Sequence, residues 1–207
     1  MIHTRRRSRQ SGNSLIEFAL GFALLLPLYV WMLVYGLDLK RLMEVSQVSR
    51  DAGHMYARGV DFSLPGNQDV LVRLAAGMNM TRTGGAGVVI LSRVLKVGSQ
   101  ECTDGGIAVA SCTNLGQTVF TQRIVIGNVS LHASKIGTPP GALLQSDGSI
   151  SPADYLTKTA ARSSNFSSIL NLADGEIAYV SEAWFDSPVK NFPTDNSRGP
   201  LYARTIF

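Results

Sequence analysis

The chain has 207 residues, of which 45% are hydrophobic and only 16% charged, and its formal net charge is +4. Arg5, Arg6, Arg7 and Arg9 stand in the first twelve residues with no acid among them, so residues 13–207 carry fifteen basic and fifteen acidic side chains and are neutral overall. Balanced, dispersed charge argues against nucleic acid as a partner, since phosphate binding needs Lys and Arg clustered on the folded domain.

After the arginines, the twenty residues from Phe18 to Leu37 carry no charge. At about 1.5 Å per residue they are long enough as a helix to cross a hydrocarbon core of roughly 30 Å. Arginines before a first apolar segment resist translocation, which predicts a cytoplasmic N-terminus and everything beyond Leu37 outside the cytoplasm. Within the span, Ala19, Gly21, Ala23 and Gly36 are small enough for other helices to approach closely. Pro27 removes one helical hydrogen bond and predicts a kink, and Tyr29, Trp31 and Tyr35 fit an interfacial aromatic belt. Glu17 stands at the inner lip. An ionisable group there either reaches the headgroup layer and faces the positive end of the helix dipole, or marks a functional position.

Past the span, Leu42, Val45, Val48, Ala52 and Met55 recur every three or four residues, which predicts that the same helix continues. From about Ser14 to Arg58 it would measure on the order of 65 Å. Leu64-Pro65-Gly66 is expected to end this pattern. The resulting boundaries are 1–12 as a basic leader, 13–37 as the membrane helix, 38–63 as its continuation and 64–207 as one further domain.

That domain reads as α+β, a small antiparallel sheet against which the long helix packs. A helix is expected over 68–80, a turn at Thr83-Gly84-Gly85-Ala86-Gly87, and strands over 88–97, 118–126, 176–185 and 201–206. A short helix is expected over 152–162, with Ser151 as its N-cap and Pro152 at its first position. On the third strand Ile177, Tyr179, Ser181 and Ala183 alternate with Ala178, Val180, Glu182 and Trp184. Neither set is cleanly polar, so this strand is covered on both sides or meets a partner. The aromatics Tyr179, Trp184, Phe185, Phe192 and Tyr202 read as sheet core. Cys102 and Cys112 are the only cysteines, and in an exported domain they are expected to form a disulfide closing a short loop.

Catalytic signatures are lacking: His3, His54 and His132 are scattered outside any metal-ligand spacing, and no GxSxG, GxGxxG or P-loop pattern occurs. Asp104, Asp174 and Glu176 read as solvated carboxylates at loop or strand edges. The expectation is a non-enzyme without cofactor or metal.

The basic leader, Gly12, the run Asn13-Ser14-Leu15-Ile16-Glu17-Phe18 and the apolar span together resemble a type IVb prepilin processing site. With Ala19-Leu20 and Ser49-Arg50-Asp51-Ala52-Gly53…Ala57-Arg58-Gly59, about the first sixty residues resemble the TadE-like family. This resemblance implies a minor pilin or pseudopilin of the tight-adherence secretion system, with a pilin-like fold, anchored in the inner membrane with its C-terminal domain outside the cytoplasm. It implies cleavage between Gly12 and Asn13 by a prepilin peptidase, and assembly with other minor pilins, the major pilin and the membrane platform proteins of the machine. Glu17 and Phe18 would then be the fifth and sixth mature residues, with Glu17 of one subunit pairing with the freed amine of Asn13 in a neighbour. Pro27 departs from the pattern, lying about a turn later than in many relatives. Two readings stand beside it: an uncleaved single-span tether whose outer domain binds a partner or ligand, and a domain exported by an ordinary signal peptide. Against the latter, the apolar run is long, follows Glu17 and lacks a small-x-small cleavage site.

Overall fold

Residues 13–187 and 199–207 are described by the computed structural model; the basic leader, Gly12 and Phe192 lie outside them. The helices are α1 (Asn13–Ala57), α2 (Pro65–Leu74), α3 (Ser99–Asp104) and α4 (Pro152–Thr157). The strands are β1 (Gly87–Lys96), β2 (Thr118–Gly127), β3 (Ile177–Phe185) and β4 (Leu201–Ile206). They make one antiparallel sheet in the order β2-β1-β3-β4, so the class is α+β as the sequence predicts. The chain divides into two units, residues 1–40 and 41–207, and α1 contributes to both.

In the first unit α1 runs unbroken through Pro27. Its side chains from Leu15 to Leu39 are exposed or half-exposed on every face. Among the described residues it is the one helix long and apolar enough to cross a membrane.

In the second unit α1 becomes one-sided, burying Val45, Val48, Ala52 and Tyr56 at helical spacing. They pack with Val89, Leu91, Ile124, Ile126, Ala183 and Phe185 of the sheet. Leu42, expected in this stripe, is largely exposed, and Tyr56 rather than Met55 closes it. Two small residues bring helix and sheet close. Ser49 Oγ donates to the Ser181 carbonyl at 3.0 Å and lies 3.3 Å from Thr205 Oγ1. A Cβ on Gly53 would stand 2.7 Å from the Phe207 ring and 3.0 Å from Ser181 Cβ.

The long helix stops earlier than the 38–63 boundary implies. Gly59 adopts φ +86°; its N–H donates to the Tyr56 carbonyl and that of Val60 to the Met55 carbonyl, both at 3.0 Å. This pair of bonds around a left-handed glycine satisfies the last free carbonyls of the helix. Pro65-Gly66 therefore does not end a helix: Pro65 sits in the first turn of α2, where its missing N–H removes no bond. The helix expected over 68–80 is correspondingly displaced. It ends at Leu74, and a 3-10 turn, Ala76–Met78, leads to Asn79 at φ 53°.

The turn before β1 is built on Gly85 at φ +89°, where a Cβ would come 2.2 Å from the Asn79 carbonyl oxygen. β1 is apolar almost throughout because it is a central strand with both faces covered. Its second face, with β2 and β3, buries Val94, Phe120, Ala178 and Val180 under Ile136, Leu143, Ile150, Ala161 and Phe166. This cover comes from residues 128–172, mostly irregular chain. Within it, α4 ends at Thr157 and a 3-10 turn, Thr159–Ala161, completes the expected 152–162 segment. Ser151 Oγ accepts from the Asp154 N–H at 3.2 Å, as an N-cap does.

Cys102 and Cys112 form a disulfide with Cα atoms 6.0 Å apart. The excursion between them is more ordered than its polar composition suggests. α3 places Cys102 inward, where both cysteines pack with Leu95, Val97, Val119 and Leu156. Replacing both cysteines by alanine should lower the unfolding free energy by about 2–3 kcal/mol on the chain-entropy account. Urea unfolding of the wild type and the double variant, each with and without reductant, checks this. A wild type unmoved by saturating reduction would show that the crosslink constrains nothing.

Candidate functional site

The first candidate region is the start of α1. Gly12, the residue before the expected cut, lies outside the described residues. Asn13 opens the helix, and Glu17 follows one turn later. Glu17 and Phe18 are exposed, with Phe18 71% accessible, and no group among the described residues pairs with the Glu17 carboxylate. Phe18 stacks on Phe22 with ring centroids 6.0 Å apart, and Trp31 meets Tyr35 edge-on at 5.2 Å. Gly21 and Gly36 have no atom within 4 Å of the position a Cβ would take, leaving room for another backbone to approach. A single carboxylate on a helix that is apolar all round has no use within the helix itself; in a low-dielectric surround it requires a cationic partner from elsewhere.

The second region, which sequence reasoning did not single out, surrounds Glu182 in the middle of β3. Glu182 is fully buried. Its Oε1 accepts from the Lys135 N–H at 3.0 Å and the Tyr202 hydroxyl at 2.9 Å, and its Oε2 accepts from Ser134 Oγ. The carboxylate thus ties the 131–137 loop and β4 to the centre of the sheet. Above it, Trp184 lies between His132, stacked at 4.6 Å, and Tyr202 at 4.1 Å, with Lys135 Nζ 4.0 Å from the Tyr202 ring centroid. Burial, then the Glu182 charge and its hydrogen bond, raise the Tyr202 pKa above the ordinary phenol value. Arg123, also buried, donates to the Gly137 carbonyl at 3.0 Å; burial pushes its pKa down and Glu182 pushes it back up. With three donors on the carboxylate, this arrangement fastens a loop and is poorly placed to accept a substrate's proton. The one signal in the sequence was the mixed character of the β3 alternation. β3 is in fact covered on both sides, with Tyr179, Ala183 and Phe185 toward α1 and Ala178, Val180 and Trp184 toward the opposite face.

The remaining residues weighed for chemistry hold turns or packing. Asp104 accepts from the Gln100 amide at 2.8 Å, and Glu176 accepts from the Ala173 N–H at 2.7 Å. Asp174 packs beside Gly98. His54 meets the Phe207 ring edge-on at 5.5 Å. Among the described residues no three His, Cys, Asp or Glu side chains gather as a metal site would require. Comparison with protein-family models, curated proteins and solved structures yields no match to this chain.

Proposed function

We propose that the chain is a minor pilin or pseudopilin of a tight-adherence pilus machine. In this reading it is held in the inner membrane by the apolar part of α1, with its N-terminus cytoplasmic and its sheet domain outside the cytoplasm. A prepilin peptidase removes residues 1–12, and α1 then packs against the apolar helices of other minor pilins and the major pilin on the membrane platform of the machine.

The observation that carries this reading is Glu17, without a partner among the described residues, one turn into a helix that is apolar on all sides before it becomes one-sided at Val45. A tether needs the apolar length alone. The carboxylate adds a cost of a few kcal/mol in a membrane, which pairing with the freed amine of a neighbouring subunit would offset while fixing the register between helices.

Intact mass and N-terminal sequencing of the chain extracted from native membranes test it. The expected chain begins at Asn13, and Gly12→Ser should leave the precursor inserted and twelve residues longer. A wild-type chain beginning at Met1 in cells with an active prepilin peptidase would make the protein an uncleaved tether.

A further inference from the structure

The two edges of the sheet are treated differently. The β2 edge is capped by the chain's own backbone: Arg123 N–H donates to the Gly148 carbonyl, Ile150 N–H to the Thr121 carbonyl and Ser163 N–H to the Thr118 carbonyl, at 2.8 to 2.9 Å. At the other edge, Tyr179 and Phe207 exchange both backbone bonds at 2.9 Å. Bonded and non-bonded pairs alternate in an antiparallel ladder, so in the observed register Thr205, Ala203 and Leu201 bond inward to Ser181, Ala183 and Phe185. The N–H and C=O groups of Tyr202, Arg204 and Ile206 therefore point outward, and among the described residues no backbone group meets them. Such a row is a template for an additional strand.

Charge selects the occupant. Arg204 stands directly across from the buried Glu182. That carboxylate also acts on Arg123, while Lys135 gives it a backbone N–H and holds its ammonium over the Tyr202 ring. Among the described residues, Arg204, Lys135 and Arg123 against Glu182 leave this face of the edge cationic. A second copy would bring Arg204 and Lys135 against their own counterparts, whereas opposite charges across a strand pair are favourable.

We propose that the outer edge of β4 receives an extended segment of a partner protein as a fifth strand, with an Asp or Glu of that segment facing Arg204 on the side of the sheet away from α1. The inference does not depend on the filament reading, since it concerns only the 41–207 unit.

Residue-resolved hydrogen exchange on the full chain tests it, with native membranes as the source of partner and the purified chain in micelles as the reference. The amides of Tyr202, Arg204 and Ile206 should exchange about tenfold or more slower in native membranes than in micelles. Those of Ala203 and Thr205, bonded to β3, should be slow in both and report that β4 is intact. Arg204→Glu should abolish the added protection while those two controls stay slow, and Arg204→Lys should keep it. Equal, fast exchange at the three outward amides in both settings would overturn the proposal. So would protection indifferent to Arg204→Glu, or protection in micelles that rises with chain concentration, which would mark a second copy as the occupant.

Discussion

Replacing Glu182 by alanine should destabilise the 41–207 unit by about 3–5 kcal/mol, the range for removing one member of a buried charged network. That is a large part of the 5–15 kcal/mol available to a typical domain. The change does more than remove one group: it leaves the part-buried donors Ser134 Oγ, the Lys135 N–H and the Tyr202 hydroxyl without their acceptor, and it leaves Arg123 without the charge that offsets its burial. Glu182→Gln keeps the shape and one acceptor oxygen, so its cost should be smaller, about 1–3 kcal/mol. Urea unfolding of the detergent-solubilised full chain, followed by tryptophan fluorescence, reads both variants. A loss below about 1 kcal/mol for Glu182→Ala would show that the loop and β4 are held by the aromatic stack alone.

Glu17→Ala should do the reverse, leaving stability unchanged and removing assembly. Glu17 is exposed and no described residue pairs with it, so its loss breaks no contact among the described residues and should favour insertion. Under the proposed function it deprives the neighbouring subunit's freed amine of its counter-ion in a low-dielectric contact. Each 1.4 kcal/mol lost there is tenfold in association, and a desolvated pair broken on one side costs several times that. Chain recovered with sheared filaments or with the assembled membrane complex should fall at least about tenfold, while the amount in the membrane stays the same. Normal assembly of Glu17→Ala would refute charge pairing as the source of register, even if cleavage after Gly12 were established.

The strands were legible because branched and apolar runs bounded by turns have few alternatives, and all four appear within a residue or two of where the pattern places them. The cap at Ser151 and the disulfide were readable for similar reasons, each resting on local chemistry or on compartment. The extent of α1 was legible to within a residue, about Ser14 to Arg58 against Asn13–Ala57, but the 38–63 boundary runs past its end because Leu64-Pro65-Gly66 carries the pattern of a stop. Gly59 ends the helix by adopting a left-handed conformation, while Pro65, expected to end it, is equally suited to a first turn and opens α2. The cover over the second sheet face, residues 128–172, had almost no periodicity to read. Its course is fixed by individual bonds from side chain to distant backbone, such as Asn114 Nδ2 to the carbonyls of Tyr155 and Lys158, each at 2.8 Å. Glu182 was hidden for the same reason: its donors come from residues 134, 135 and 202, and no local pattern announces them.

The seating of α1 on the sheet joins parts of the chain made far apart in time. Ser49 bonds to Ser181, 132 residues later, and meets Thr205, 156 residues later, while Gly53 lies under Phe207. Contacts of such separation form late, since the loop they close must be ordered before they return anything. A chain that emerges from its N-terminal end therefore holds the one-sided half of α1 incompletely covered until β3 and β4 have been delivered. A product truncated before β3 would lack Ala183 and Phe185 and would leave the stripe of Val45, Val48, Ala52 and Tyr56 only partly covered, by residues such as Leu71, Val89, Leu91, Ile124 and Ile126.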